Sequence, residues 1–288
     1  MIWVDMLLNG LMLGGLYALF GLGLSLIFGV MRIANIAHGE LVVGGAFMAF
    51  SIAGAVPLPP LVLVTLVTAI MFGLGWLLQS ALINRAMDGD PMRPLLLTFG
   101  ISILTQNLLV QFFGADSRSL DVGSFNTRAI EIGSISIGLL PLLTFMLSLG
   151  LFGLLHWVLH HTDAGRVVRA TSDDPEIVAL MGVNKRWVFS GVMALSAALA
   201  AVAGMLLAMR SSITPFSGAE RLLIAFEVVV IGGLGSIWAS LVGGLVLGLV
   251  HAISFRFDPG SGLLYGHILL LAILLIRPEG LAGKRSVR

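Results

Sequence analysis

His156 and His160 stand four residues apart, one turn of a helix, and His161 follows them. That spacing offers two nitrogen ligands on one face. No carboxylate completes an HExxH pattern, and a metal site takes three or four ligands. The group therefore reads as a wet histidine cluster at a membrane edge, with no metal expected. The sequence contains no GxSxG elbow, no phosphate loop (GxxxxGK followed by Ser or Thr) and no cysteine. It thus lacks the signatures of a serine hydrolase, a P-loop nucleotide site and a thiolate centre. No nucleophile with its base and no carboxylate pair stands out, so no catalytic residue is assigned.

Polar residues occur instead where they are costly. Glu227 lies in the apolar run IAFEVVVIGG. An ionisable group inside a membrane span usually faces a cavity or a partner group, in a functional or a structural hydrogen bond. Asn35, His38 and Glu40 cluster in MRIANIAHGE, which interrupts a long apolar stretch. Gly232, Gly233 and Gly235 belong to GGLGS at 232–236, a poor helix interior. Helix breaks in a membrane protein leave backbone groups free where they line a cavity, which suits a polar solute. Asn35, His38, Glu40, Glu227, Gly232, Gly233 and Gly235 are therefore the candidate residues of a translocation path. The two breaks are expected to approach one another beside it.

The most polar run is RVVRATSDDPEIVALMGVN, residues 166–184. Ser172 or Asp173 can cap a helix there, Pro175 suits its first turn, and Asp173 with Glu176 has capping-box spacing. Ile177, Leu180 and Met181 then share one face, and Gly182 is a natural stop. The spacing predicts a short amphipathic helix over about 173–181 whose exposed apolar face docks on a partner protein or on the bilayer surface. Val178 is placed on its opposite face.

The elements that carry these residues follow from composition. The chain is 58% hydrophobic and 11% charged, with mean hydropathy +1.04. A soluble domain carries about a quarter charged residues, so this chain is an all-α polytopic membrane protein. The net charge of +1 gives no footprint for nucleic acid. The first basic residue is Arg32, so no cleaved signal peptide is expected. The 36 glycines fit close helix packing in lipid, with small-xxx-small pairs at Gly10 and Gly14 and at Gly244 and Gly248.

Apolar stretches at 2–30, 41–54, 61–83, 95–113, 138–159, 187–208, 222–254 (broken at GGLGS) and 263–276 give about eight to nine transmembrane helices. The first exceeds the bilayer and is expected to begin with an interfacial turn. GGLGS is read as a break or re-entrant turn, and Ile130, Ile132, Ile135 and Ile137 alternate as in a small hairpin. The whole of 1–288 forms one permease domain, with a loop at 114–137 on one side and 161–186 on the other. Placing 161–186 in the cytoplasm leaves eleven of the 16 lysines and arginines inside and five outside: Arg118, Arg128, Arg210, Arg221 and Arg256. The N-terminus is then outside, and the basic tail is inside only if GGLGS is a real turn.

Five blocks now resemble a known family in order: NGLMLGGLYALFGLGLSLIFGVMRIANIAHGE, NRAMDGDPMRPLLLTFGISI, GRVVRATSDDPEIVALMGVNKRWV, FEVVVIGGLGSIWASLVGGLVLG and RPEGLAGK. They resemble the branched-chain amino acid ABC transporter permeases of the LivH type over nearly the whole chain. The resemblance implies a permease subunit of the bacterial inner membrane, multi-pass, set in membrane lipid. Its implied partners are a homologous LivM-type permease, two ABC ATPase subunits that use the ATP, and a periplasmic solute-binding protein. No cofactor is implied on the chain itself. The 161–186 loop then corresponds to the family's coupling segment, with Asp173, Asp174, Ile177, Ala179, Leu180, Met181 and Gly182 as its candidate contacts. Close relatives import urea or short amides with almost the same motifs, and an ATPase-independent transporter or an intramembrane enzyme are the rival classes.

Overall fold

A backbone surrounded by lipid has to satisfy its own N–H and C=O groups, so the apolar runs fold as helices. The computed structural model describes residues 2–87, 90, 92–121, 123, 128–132, 135–258 and 260–282. The basic tail residues Lys284, Arg285 and Arg288 lie outside the described residues, as do parts of the expected loops at 84–94, 114–137 and 255–262.

The helices are α1 (Ile2–Met31), α2 (His38–Ala55), α3 (Pro60–Leu78), α4 (Asn84–Ala86), α5 (Met92–Phe113), α6 (Leu139–His161), α7 (Asp163–Asp173), α8 (Pro175–Leu180), α9 (Lys185–Arg210), α10 (Gly218–Gly232), α11 (Ile237–Phe257) and α12 (Gly262–Ile276). A π-helical turn, Gln79–Ile83, joins α3 to α4 without a break. Among the described residues seven helices are long and apolar enough to cross a membrane. The other two apolar helices, α10 and α12, have 15 residues each, about 22 Å at 1.5 Å per residue. The alternating isoleucines form the expected hairpin, β1 (Ala129–Ile132) antiparallel to β2 (Ile135–Gly138), with Ala129 opposite Gly138.

Helices α1 and α9 are the buried centre, and α3, α5 and α6 turn large apolar side chains such as Leu61, Phe99 and Leu154 outward. The central helices pack through small residues because every face meets another helix. Gly10 and Gly14 of α1 meet Gly248 of α11, and a β-carbon at Gly244 would stand 2.6 Å from Ala18 Cα. The two small-xxx-small pairs of the sequence are therefore one helix contact. Helix α2 starts deep in the body rather than at its edge, because His38 bonds to the Phe20 carbonyl two-thirds of the way along α1.

Helix α1 is helical from Ile2. Two expectations need correction. The loop expected at 210–221 is shorter, since α10 begins at Gly218; its residue Ile213 is buried and bridges Arg118, with N–H to C=O distances of 2.8 and 2.9 Å. The loop at 161–186 holds two helices, not one. The first, α7, starts at the Thr162 cap and precedes the expected one.

Filling the α1–α11 contact tests this packing. Gly248→Leu should cost about 1–3 kcal/mol, as overpacked cores do, and lower the melting temperature of the detergent-solubilised protein. Gly54→Ala, at an exposed helical position with open space around it, should not lower the melting temperature.

Candidate functional site

The loop between α6 and α9 is fixed at each joint by a side-chain cap. Thr162 Oγ1 accepts from Gly165 N at 3.0 Å and starts α7. Ser172 Oγ donates to Gly29 O at 2.6 Å, and Arg32 Nη2 donates to Ser172 O at 3.3 Å, so α7 is tied to the end of α1. At Asp174 the backbone turns extended, and its Oδ1 accepts from Glu176 N at 2.9 Å and from Ile177 N at 3.1 Å. The cap of α8 is therefore Asp174. Asp173, expected to cap or to open the helix, is the last residue of α7, and its capping box with Glu176 does not form. The extended backbone at 174 ends one helix and starts the next, which splits the expected 173–181 helix.

Gly182 closes α8 at φ +87, with Val183 N donating to Val178 O and Gly182 N to Ala179 O at 3.3 and 3.1 Å. This is a Schellman motif, which glycine adopts without the β-carbon penalty. Asn184 Oδ1 then accepts from Arg186 N at 3.0 Å and starts α9. Held between these caps, α8 exposes Ile177 by 57%, Leu180 by 88% and Met181 by 78%, while Asp173, Ala179 and Gly182 are exposed beside them. Val178 points the other way and is 5% exposed. It anchors α8 to the body, as its place on the face opposite Ile177, Leu180 and Met181 requires.

Of the candidate path residues Asn35, His38, Glu40, Glu227, Gly232 and Gly233 are buried and Gly235 is exposed. Asn35 Oδ1 accepts from Ala37 N at 3.0 Å and its Nδ2 approaches Met193 Sδ at 3.5 Å. His38 Nε2 donates to Phe20 O at 2.9 Å. The Glu40 carboxylate lies against Gly218, where a side chain would collide with it. The start of α2 therefore meets the start of α10. Gly235 packs against Gly29 of α1, close to the break that precedes α2.

Glu227 bonds the His267 ring across α10 and α12. Next to them Tyr17 and His251 share a hydrogen bond of 3.0 Å, with their rings edge to face at 5.3 Å. Gly266 leaves the space between the two pairs, since a β-carbon there would touch both the His251 ring and the Glu227 carboxylate. Sequence reading named Glu227 and missed Tyr17, His251 and His267. Only the helical register of four distant helices brings them together.

The GGLGS segment is a turn, with Gly233 at φ 128 and Gly235 at φ 77. The chain end closes it: Leu281 N donates to Ile231 O at 2.8 Å and Ala282 N to Gly232 O at 2.9 Å. These bonds satisfy carbonyls that the end of α10 would otherwise leave open. Gly29, which receives Gly235, also accepts from Ser172, so the turn, the chain end and the α7–α8 loop share one face of the body. His156 and His160 lie on that side of α6, where Trp238 Nε1 donates to His156 Nδ1 at 3.1 Å. Among the described residues no group of three or more His, Asp or Glu is placed to hold a metal ion.

The family model described as the permease component of the branched-chain amino acid transport system matches residues 6–276. The permease protein BraD of a high-affinity branched-chain amino acid transport system in Pseudomonas aeruginosa is 29% identical over 99% of this chain and 97% of its own. LivH of Escherichia coli K12, similarly described, is 29% identical over the same shares. A probable branched-chain amino acid transport permease LivH of Methanocaldococcus jannaschii is 30% identical over 96% of this chain and 92% of its own. No solved structure matches the chain.

Removing the α8 cap has a defined cost. Asp174→Ala should destabilise the helix by about 0.5–2 kcal/mol. Amide hydrogen exchange over 175–181 should speed up several-fold, while exchange in α9 stays as in the parent.

Proposed function

The chain belongs to the family of branched-chain amino acid transport permeases, and we propose on that premise that it forms the membrane path for branched-chain amino acids and is driven by a separate ATPase through α8. The family is one of transport components, not of enzymes. The full-length likeness to BraD and LivH supports the solute, since those relatives are described as branched-chain amino acid permeases. The partners we assign are a LivM-type permease, two ABC ATPase subunits that bind the ATP, and a periplasmic solute-binding protein. We place the protein in the inner membrane with its N-terminus periplasmic and its C-terminus cytoplasmic.

One observation carries the coupling role: a six-residue helix, capped at both ends and anchored by Val178, holds Ile177, Leu180 and its C-cap Met181 exposed on one face. Water gives no return for that arrangement, whereas a groove on a partner does. Burying each such side chain contributes about 1.5–3 kcal/mol before ordering costs. Asp173, Asp174, Ala179 and Gly182 complete the contact surface by position. Asn35, His38, Glu40, Glu227, Gly232, Gly233 and Gly235 act as supports of the path, setting the depth of α2 and the turn of α10.

Coupling is tested in the complex reconstituted with its ATPase, companion permease and binding protein. Leu180→Asp and Gly182→Val should each lower solute-stimulated ATP hydrolysis and leucine uptake together by about tenfold or more, a loss equal to one such contact. Membrane insertion and solute capture by the binding protein should not change. A Leu180→Asp complex that assembles and imports at the parent rate would make α8 only a connector.

A further inference from the structure

At the end of α9 remote from the α7–α8 loop lies a cavity of about 510 Å³. Its size falls in the range of about 300–1,000 Å³ typical of small-molecule sites. Asn9, Tyr17, Arg210, Glu220 and His251 supply its polar wall, and Leu13 and Phe255 are among its apolar side chains. Arg210 Nη1 is buried and has no hydrogen-bond partner among the described residues, and the same is true of His251 Nε2. Glu220 is paired with Arg221 at 3.2 Å, yet its side chain remains 44% exposed. The wall therefore offers a guanidinium nitrogen without a partner, a reachable carboxylate and a hydrocarbon surface together.

A buried guanidinium N–H left without an acceptor is costly, and a carboxylate is its best complement. From this we propose that the cavity is a transit site for a zwitterionic apolar amino acid, with Arg210 receiving the α-carboxylate, Glu220 the α-ammonium, and the apolar wall the side chain. The assignment rests on the solute reading above and adds the residues that meet the solute. An acidic side chain of the companion permease offers the same carboxylate chemistry, and the test separates the two sources.

Two independent variants are used in the full complex, with leucine as the solute. Arg210→Gln removes the cation. Gly262→Trp fills the cavity from a position that lines it and has no atom within 4 Å of a new β-carbon, so it leaves the packing intact. Each should lower uptake by about tenfold or more, as loss of a charged hydrogen bond does, while the companion permease still co-purifies. Arg210→Lys should keep part of the rate. Arg256→Gln, at an exposed position on the same side that does not line the cavity, should match the parent. An assembled complex that imports at the parent rate with either Arg210→Gln or Gly262→Trp overturns the proposal. If Arg210→Gln loses the companion permease while Gly262→Trp transports normally, Arg210 belongs to the subunit contact and the proposal fails. If Arg210→Gln does not assemble for any reason, Gly262→Trp alone decides. A parent complex that imports no branched-chain amino acid defeats the solute reading first, and this assignment with it; normal parent uptake with unaffected variants defeats the site alone.

Discussion

The close approach of α1 to its neighbours through glycine is the contact on which the other features depend. Gly10 and Gly14 admit α11, and Gly29 admits Gly235. In lipid the hydrophobic effect gives little preference for one apolar face over another, so helix association rests on packing distance. A helix brought this near fixes the depth of whatever it touches. Helix α1 thereby sets the level at which His38 starts α2, and it receives Ser172 and Gly235 at its far end.

The break at 232–236 is stable for a second reason. A helix that stops inside a membrane body leaves carbonyls that lipid cannot satisfy. The backbone of Leu281 and Ala282 supplies the missing donors, and Gly280, at φ 82, fits against Gly233 where a side chain would not. The chain end is thus a structural part of the turn. Its RPEGLAGK residues had only family resemblance to recommend them in the sequence, and up to Ala282 they now have a backbone role.

The sequence displays what repeats locally. Long apolar runs give the spans, isoleucine alternation gives the hairpin, and Gly182 gives the end of α8. Glycine in GGLGS gives the turn because φ near 128 and 77 is a property of the residue itself. What it conceals depends on register between distant helices. Tyr17 and His251 are separated by 234 positions, and nothing local marks either as a partner. The choice among Ser172, Asp173 and Asp174 as a cap turns on one backbone angle, which three adjacent polar residues do not specify. Amphipathic spacing sets Val178 opposite Ile177, Leu180 and Met181, but it does not show which of the two faces meets the body.

One arrangement ties these points together: a short helix that turns back at GGLGS, so that the chain end returns to the face that carries α8. Single cysteines in this naturally cysteine-free chain measure it directly. Leu180→Cys, Leu281→Cys and Asp258→Cys would be labelled with an impermeant maleimide in sealed right-side-out and inverted membrane vesicles. The account predicts that positions 180 and 281 react only from the cytoplasmic side and position 258 only from the periplasmic side. Reaction of position 281 from the side opposite to position 180 would contradict it, because α10 and α11 would then form one continuous crossing.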